Sequence, residues 1–176
     1  MRPSRAATLA LVATAMIPAG AAQALLPGSD GAIVARDTAD VPYDASRDAQ
    51  ADVDAALAAA RTSGKHALVV MGGSWCHDSM ALWYIFHDTR FAAMLAERYE
   101  LVWVNVGHRD RNIDIARRFG LDGIHGTPTV LILTPDGTAT NLEDAPSWRN
   151  AASRKPEAIY RHFSRAVAPV APVAAR

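Results

Sequence analysis

Apolar residues recur along the chain with two different periods, and the switch between those periods lays out the elements. Between Asp48 and Thr62, Val53, Leu57 and Ala60 fall three and four residues apart in an alanine-rich stretch. That spacing predicts a helix, which Ser63-Gly64 ends. Ala67 to Met71 is a short unbroken apolar run rich in β-branched residues and predicts a buried strand, broken by Gly72-Gly73-Ser74. Cys76 to His87 carries Leu82, Ile85 and Phe86 at helical spacing. Asp88 then reads as the N-cap of a second helix through Tyr99, with Phe91, Met94 and Leu95 as its apolar stripe.

Leu101 to Val106 is again strand-like, and Asn112 to Phe119 predicts a short helix that Gly120 stops. Thr129 to Leu133 and a partner at Thr138 to Leu142 flank Pro135-Asp136-Gly137, a turn signal that predicts a hairpin of two strands. One helical turn is expected over Ser147 to Ser153. A closing amphipathic helix is expected over Pro156 to Val167, with proline at its first position and Ile159, Phe163 and Val167 on one face. The order is helix, strand, helix, strand, helix, strand, strand, helix. An early parallel β-α-β unit followed by a hairpin and a closing helix predicts an α/β fold with a mixed sheet. The ends lack such periodicity: 25–47 reads as a linker or N-terminal arm, 48–167 as one domain, and 168–176 as a disordered tail.

The first 24 residues differ in kind. Arg2 and Arg5 precede the apolar run Ala6 to Pro18, and Ala22-Gln23-Ala24 has the small-x-small form of a cleavage site. This is the layout of a secretory signal peptide, and the run is shorter than the ~20 residues of a membrane span. Cleavage near Ala24 lowers Lys+Arg from 18 to 16 against 18 Asp+Glu, a net charge of −2. The expected product is periplasmic or secreted, without stable membrane association. A balanced charge gives no basic field for nucleic acid. Arg109, Arg111, Arg117 and Arg118, interleaved with Asp110 and Asp114, read as a solvated helix face.

With one cysteine in 176 residues, no internal disulfide can staple the fold. Trp75-Cys76-His77-Asp78-Ser79 falls where a strand ends and a helix begins. A thiol there sees the unsatisfied N–H groups and positive end of the helix, which favour the thiolate. A protonated His77 adds to that effect and Asp78 opposes it. Cys76 with His77, His87, His108 or His125 matches no standard zinc spacing, so no metal is expected. The chain carries no phosphate-binding loop, dinucleotide fingerprint or hydrolase elbow.

Trp75-Cys76-x-x-Ser79 after a strand, then Gly126-Thr127-Pro128-Thr129 before the hairpin, resemble the thioredoxin-like family over Asp48 to Val167. The resemblance implies a thioredoxin-like fold, a central mixed β-sheet flanked by helices. It also implies that Pro128 is cis and lies against the active cysteine, and that Thr127 offers backbone hydrogen bonds to a bound peptide. Three positions depart from the family. Ser79 stands where the resolving cysteine is usual, Val70 where a buried acid is kept, and Trp103 where that acid has its lysine neighbour. These losses agree with one another, since the acid helps to deprotonate the resolving cysteine.

The resemblance thus implies a thiol–disulfide oxidoreductase lacking a resolving cysteine, and the first 24 residues imply that it is exported. Cys76, Ser79 and His77 would be catalytic, and Trp75, Thr127 and Pro128 substrate-binding. Protein or peptide thiols and disulfides would be its partners, with no bound cofactor and an external thiol such as glutathione completing the cycle. The alternative is a non-catalytic module of the same fold that captures peptides or partner proteins.

Overall fold

The computed structural model describes residues 42–170. The expected signal peptide, most of the expected arm and the last six residues of the expected tail lie outside the described residues. Helix α1 (Ala49–Ser63) leads into strand β1 (His66–Gly72), followed by α2 (His77–His87) and α3 (Thr89–Arg98). Strand β2 (Tyr99–Asn105), α4 (Ile113–Arg118), β3 (Thr129–Leu133), a 3₁₀ segment (Ala145–Ser153) and α5 (Pro156–Ala166) complete the order. No helix among the described residues is long and apolar enough to cross a membrane.

The sheet has the order β2-β1-β3, with β1 parallel to β2 and antiparallel to β3. The central strand is buried on both faces, which is why its sequence reads as an unbroken apolar run. Because side chains alternate across a strand, Leu68 and Val70 join one core and Ala67, Val69 and Met71 the other. The first core packs under α2, α3, α5 and the 3₁₀ segment, and the second under α1 and α4. Val70 pairs in register with Trp103, so the two departures from the family pattern face each other across β1 and β2. In the first core, Trp103 packs against Trp83, Phe86 and Tyr43.

Local chemistry sets the element ends. The Asp48 carboxylate accepts from the Gln50 and Ala51 N–H groups, and Gly64 closes α1 at φ 76°. Asp88 terminates α2 and caps α3 by accepting from Arg90 N–H at 3.0 Å. Pro156 opens α5, and the Tyr99 hydroxyl donates to the Phe163 carbonyl at 2.7 Å, tying that helix to β2.

Four expectations need correction. The segment Thr138 to Leu142 is not a strand; a single bridge pairs Leu133 with Ala139. Backbone bonds from Thr140 N–H to the Ile132 carbonyl and from Thr134 N–H to the Thr138 carbonyl, both 2.9 Å, hold the segment there. The Asn141 side chain extends the pairing, accepting from Ile132 N–H at 2.8 Å and donating to the Val130 carbonyl at 2.9 Å. Tyr99 opens β2 rather than closing α3, and β2 starts two residues before the expected Leu101. This places Glu100 inside the fold, where Lys65 at 3.3 Å and the Ser63 hydroxyl at 2.9 Å partner it. Arg109 and Arg111 lie on the turn after β2, not on a helix face with Arg117 and Arg118. Finally, Tyr43, assigned to the arm, is buried in the first core.

Candidate functional site

Strand β1 delivers the chain to the site. Gly72 ends the strand, Gly73 and Ser74 turn it, and the Cys76 N–H closes that turn on the Gly73 carbonyl at 3.0 Å. The turn needs glycine at 73, because a Cβ there would lie 2.5 Å from the Trp75 indole nitrogen. Cys76 is the N-cap residue of α2 with extended backbone, and its side chain makes no capping bond. The half-buried sulfur is therefore left beside the open N–H groups of the first turn.

From the other side, the loop before β3 reaches the same sulfur. The Thr127–Pro128 peptide bond is cis, and the Thr127 carbonyl lies 3.2 Å from Cys76 Sγ, which donates to it as a thiol. A carbonyl oxygen only accepts, so this contact serves the protonated form. The thiolate has other partners. Partial burial pushes the Cys76 thiol up, but the Thr127 and Ser79 side chains and the Ser79 and Asp78 N–H groups push it down further. The balance leaves the thiol below the ordinary cysteine value.

The structure brings together Trp75, Cys76, Ser79, Thr127 and Pro128, and places His77 at the exposed first position of α2. Ser79 is fully buried in the first turn of the helix, and its hydroxyl makes no hydrogen bond. Trp75 is 49% exposed, its indole N–H donating to the Gly107 carbonyl at 2.6 Å and its ring stacked on His108 at 5.0 Å. The sulfur is thus flanked by an exposed aromatic surface. Asp78 has a structural task beyond its place in the first turn. Its carboxylate accepts from Ala152 N–H at 2.9 Å and pins the 3₁₀ segment to α2.

Two residues near the site escaped the sequence reading. The Tyr43 hydroxyl donates to the Ser79 carbonyl at 3.2 Å, beneath the cysteine's own helix. Asn105 donates its side-chain N–H to the Tyr43 carbonyl and accepts from Gly107 N–H at 2.7 Å. It therefore couples Tyr43 to the turn that holds Trp75. The available signal was that Tyr43 is the first aromatic residue of the chain, standing alone just ahead of the α1 cap.

A three-stranded mixed sheet between helices, with a cysteine at a helix N-terminus facing a cis-proline loop, is the architecture of one protein class. The sequence pattern of the thioredoxin-like family matches residues 48–135, and the chain belongs to that family. Among solved structures it is similar to a disulphide isomerase from Xylella fastidiosa Temecula1. The two share 31% identity with a TM-score of 0.68, over 72% of this chain and 97% of that one. It is also similar to a thioredoxin from Thermus thermophilus, at 19% identity with a TM-score of 0.46, over 64% of this chain and 82% of that one. No curated protein matches the chain significantly.

Proposed function

We propose that this protein carries out monothiol thiol–disulfide exchange through Cys76, on protein or glutathione disulfides, after export from the cytoplasm. The observation that carries this reading is the half-exposed Cys76 sulfur at the start of α2, 3.2 Å from the Thr127 carbonyl and lowered in pKa by the donors around it. The Xylella fastidiosa relative named a disulphide isomerase supports the same class of chemistry.

The Cys76 thiolate attacks one sulfur of a disulfide R–S–S–R′, forming a Cys76–S–S–R bond as the S–S bond to R′ breaks. The departing R′ thiolate takes a proton from water. Because Ser79 stands where a second thiol would act, the mixed disulfide waits for an external thiol. That thiolate attacks the R sulfur, expels the Cys76 thiolate and leaves the external thiol joined to R. Each step exchanges one disulfide for another, so electrons balance without a bound cofactor. The Ser79 hydroxyl and the first-turn N–H groups stabilise the departing Cys76 thiolate, while Trp75 and the Thr127 backbone flank the approaching chain. His77, exposed beside the sulfur, adds a positive charge when protonated.

The test is to incubate the chain lacking residues 1–24 with glutathione disulfide and measure the intact mass. The expected result is a single glutathione adduct on Cys76 that a thiol reductant removes, and none on Cys76→Ser. Labelling that appears only after unfolding would overturn the reading. Export is tested by expressing the full chain and sequencing the N-terminus of the product found outside the cytoplasm, where Leu25 is the expected first residue.

A further inference from the structure

Two arginines rest on the two chain segments that flank the sulfur. Parallel β2 and antiparallel β3 both reach the end of β1, where Gly72 pairs with Asn105 on one side and Met71 with Thr129 on the other. The turn at Gly107 therefore lies on one flank of the Cys76 turn, and the Gly126–Thr127 segment lies on the other. Arg111 lays its stem against Gly107, where an added Cβ would lie 3.0 and 3.1 Å from Arg111 Cγ and Cδ. Arg149, from the 3₁₀ segment, lays its stem against Gly126, where an added Cβ would lie 3.0 Å from Arg149 Cβ and Cδ. The Gly107 carbonyl accepts from the Trp75 indole, and Gly126 adjoins the residue whose carbonyl touches Cys76 Sγ.

The stems are packed while the charges are free. Both arginines are exposed, and neither makes an ion pair or side-chain hydrogen bond among the described residues. The acids around them are engaged elsewhere. Asp110 accepts from His108 N–H at 2.9 Å, Asp122 pairs with His125 at 2.6 Å, and Asp78 accepts from Ala152 N–H at 2.9 Å. His77, His108 and Arg109, exposed on the same surface, add no negative charge. A guanidinium presents a planar fork of donors that matches a carboxylate. Two of them held on opposite flanks of a thiolate favour a disulfide that carries carboxylates on both sides of its sulfur.

The spacing of the flanks sets the size of that substrate. Adjacent strands lie about 4.8 Å apart, so β2 and β3 stand about 10 Å apart across β1. An extended tripeptide spans about the same distance, at roughly 3.3–3.6 Å per residue.

We propose that Arg111 and Arg149 dock the carboxylates of a small disulfide whose sulfur stands between two carboxylate-bearing ends, the chemistry of glutathione disulfide. One glutathionyl unit places its sulfur on Cys76, with its glutamyl and glycyl ends toward the two arginines. The Cys76 thiolate attacks that sulfur, the S–S bond breaks, and the second glutathione leaves as a thiolate that takes a proton from water. The arginines determine specificity: they hold the substrate and touch neither the forming nor the breaking bond. This inference rests on the monothiol-exchange reading above and selects glutathione over protein disulfides as the substrate.

The experiment measures the rate of adduct formation by intact mass in the chain lacking residues 1–24. The substrates are glutathione disulfide and the neutral bis(2-hydroxyethyl) disulfide, and the variants are Arg111→Gln, Arg149→Gln and the pair together. The quantity read is the ratio of the two rates, because a change in the thiol itself moves both alike. Each single variant is expected to lower the ratio about 3-fold and the double variant about 10-fold, the scale of exposed guanidinium–carboxylate contacts. Arg111→Lys and Arg149→Lys keep the charge and recover part of the ratio. An unchanged ratio in the double variant overturns the proposal. So does an arginine effect confined to a disulfide-bearing acidic peptide, which assigns the arginines to a protein partner instead.

A second measurement needs no variant to fold. In the wild-type chain the ratio is expected to fall as salt rises from about 0.01 M to about 1 M, since the docking charges are exposed, and a salt-independent ratio overturns the proposal. Adducts with neither disulfide on the native chain sink the exchange reading and this inference together. Exchange with both disulfides at a ratio that ignores the arginines sinks this inference alone.

Discussion

Gly72→Ala probes the packing behind the cysteine more directly than any change at the sulfur. The backbone at Gly72 is not in the left-handed region, so alanine meets no conformational obstacle and its cost is purely steric. Its Cβ would lie 2.5 Å from Ser79 Oγ and 2.8 Å from Cε1 and Cζ of Tyr43, against ordinary contacts of about 3.5 Å. Neither neighbour is a loose chain end. Ser79 is fixed in the first turn of α2, and Tyr43 is pinned by Asn105 and by its own hydroxyl bond. Overpacking of this kind costs about 2–3 kcal/mol, from which the lower chain entropy of alanine in the unfolded state returns about 0.5–1 kcal/mol. The expected net loss is about 1–2 kcal/mol. Urea unfolding followed by circular dichroism measures it as a lower midpoint with an unchanged slope. In the Ser79→Ala background the nearest clash is gone, so the same substitution should cost less there. A loss under about 0.5 kcal/mol, or an equal loss in both backgrounds, would refute the argument that Ser79 and Tyr43 fill the glycine's space.

Three further outcomes follow from the geometry. Asn141→Ala removes both side-chain bonds to β3 and leaves the Ile132 N–H and Val130 carbonyl short of partners, costing about 2–3 kcal/mol in urea unfolding. Asp78→Ala releases the 3₁₀ segment from α2 and costs about 1–2 kcal/mol, with faster amide exchange at Ala152 as its local sign. The depressed Cys76 pKa makes the folded state bind its proton less tightly than the unfolded one does. Its contribution to stability is therefore present above the unfolded value of about 8.5 and is lost as pH falls through the folded value. Wild-type stability should gain on Cys76→Ser across that window as pH rises, which paired urea titrations would show.

Much of this protein was legible along the chain because the information is local. The unbroken apolar run of β1, the Asp48 and Asp88 caps, the Gly64 stop and the stripe of α5 each state a short-range preference that the fold obeys. The same holds for the place of Cys76, since a strand followed by glycines and a helical stripe defines a helix start without reference to anything distant. The order of these elements, with the Trp-Cys-x-x-Ser and Thr-Pro motifs, was enough for the family. What the sequence could not express was which polar group stands in for which backbone partner. The Asn141 amide continues by side chain a pairing that the backbone makes only as far as Thr140, and Glu100 enters a buried strand because Lys65 and Ser63 meet it there. Tyr43 lies 36 residues before Ser79, with a whole helix and strand between them. Local periodicity carries no term for such a contact. Only the closure of the sheet, which seats the chain before α1 against the end of β1, brings phenol, hydroxyl and sulfur into one packed volume.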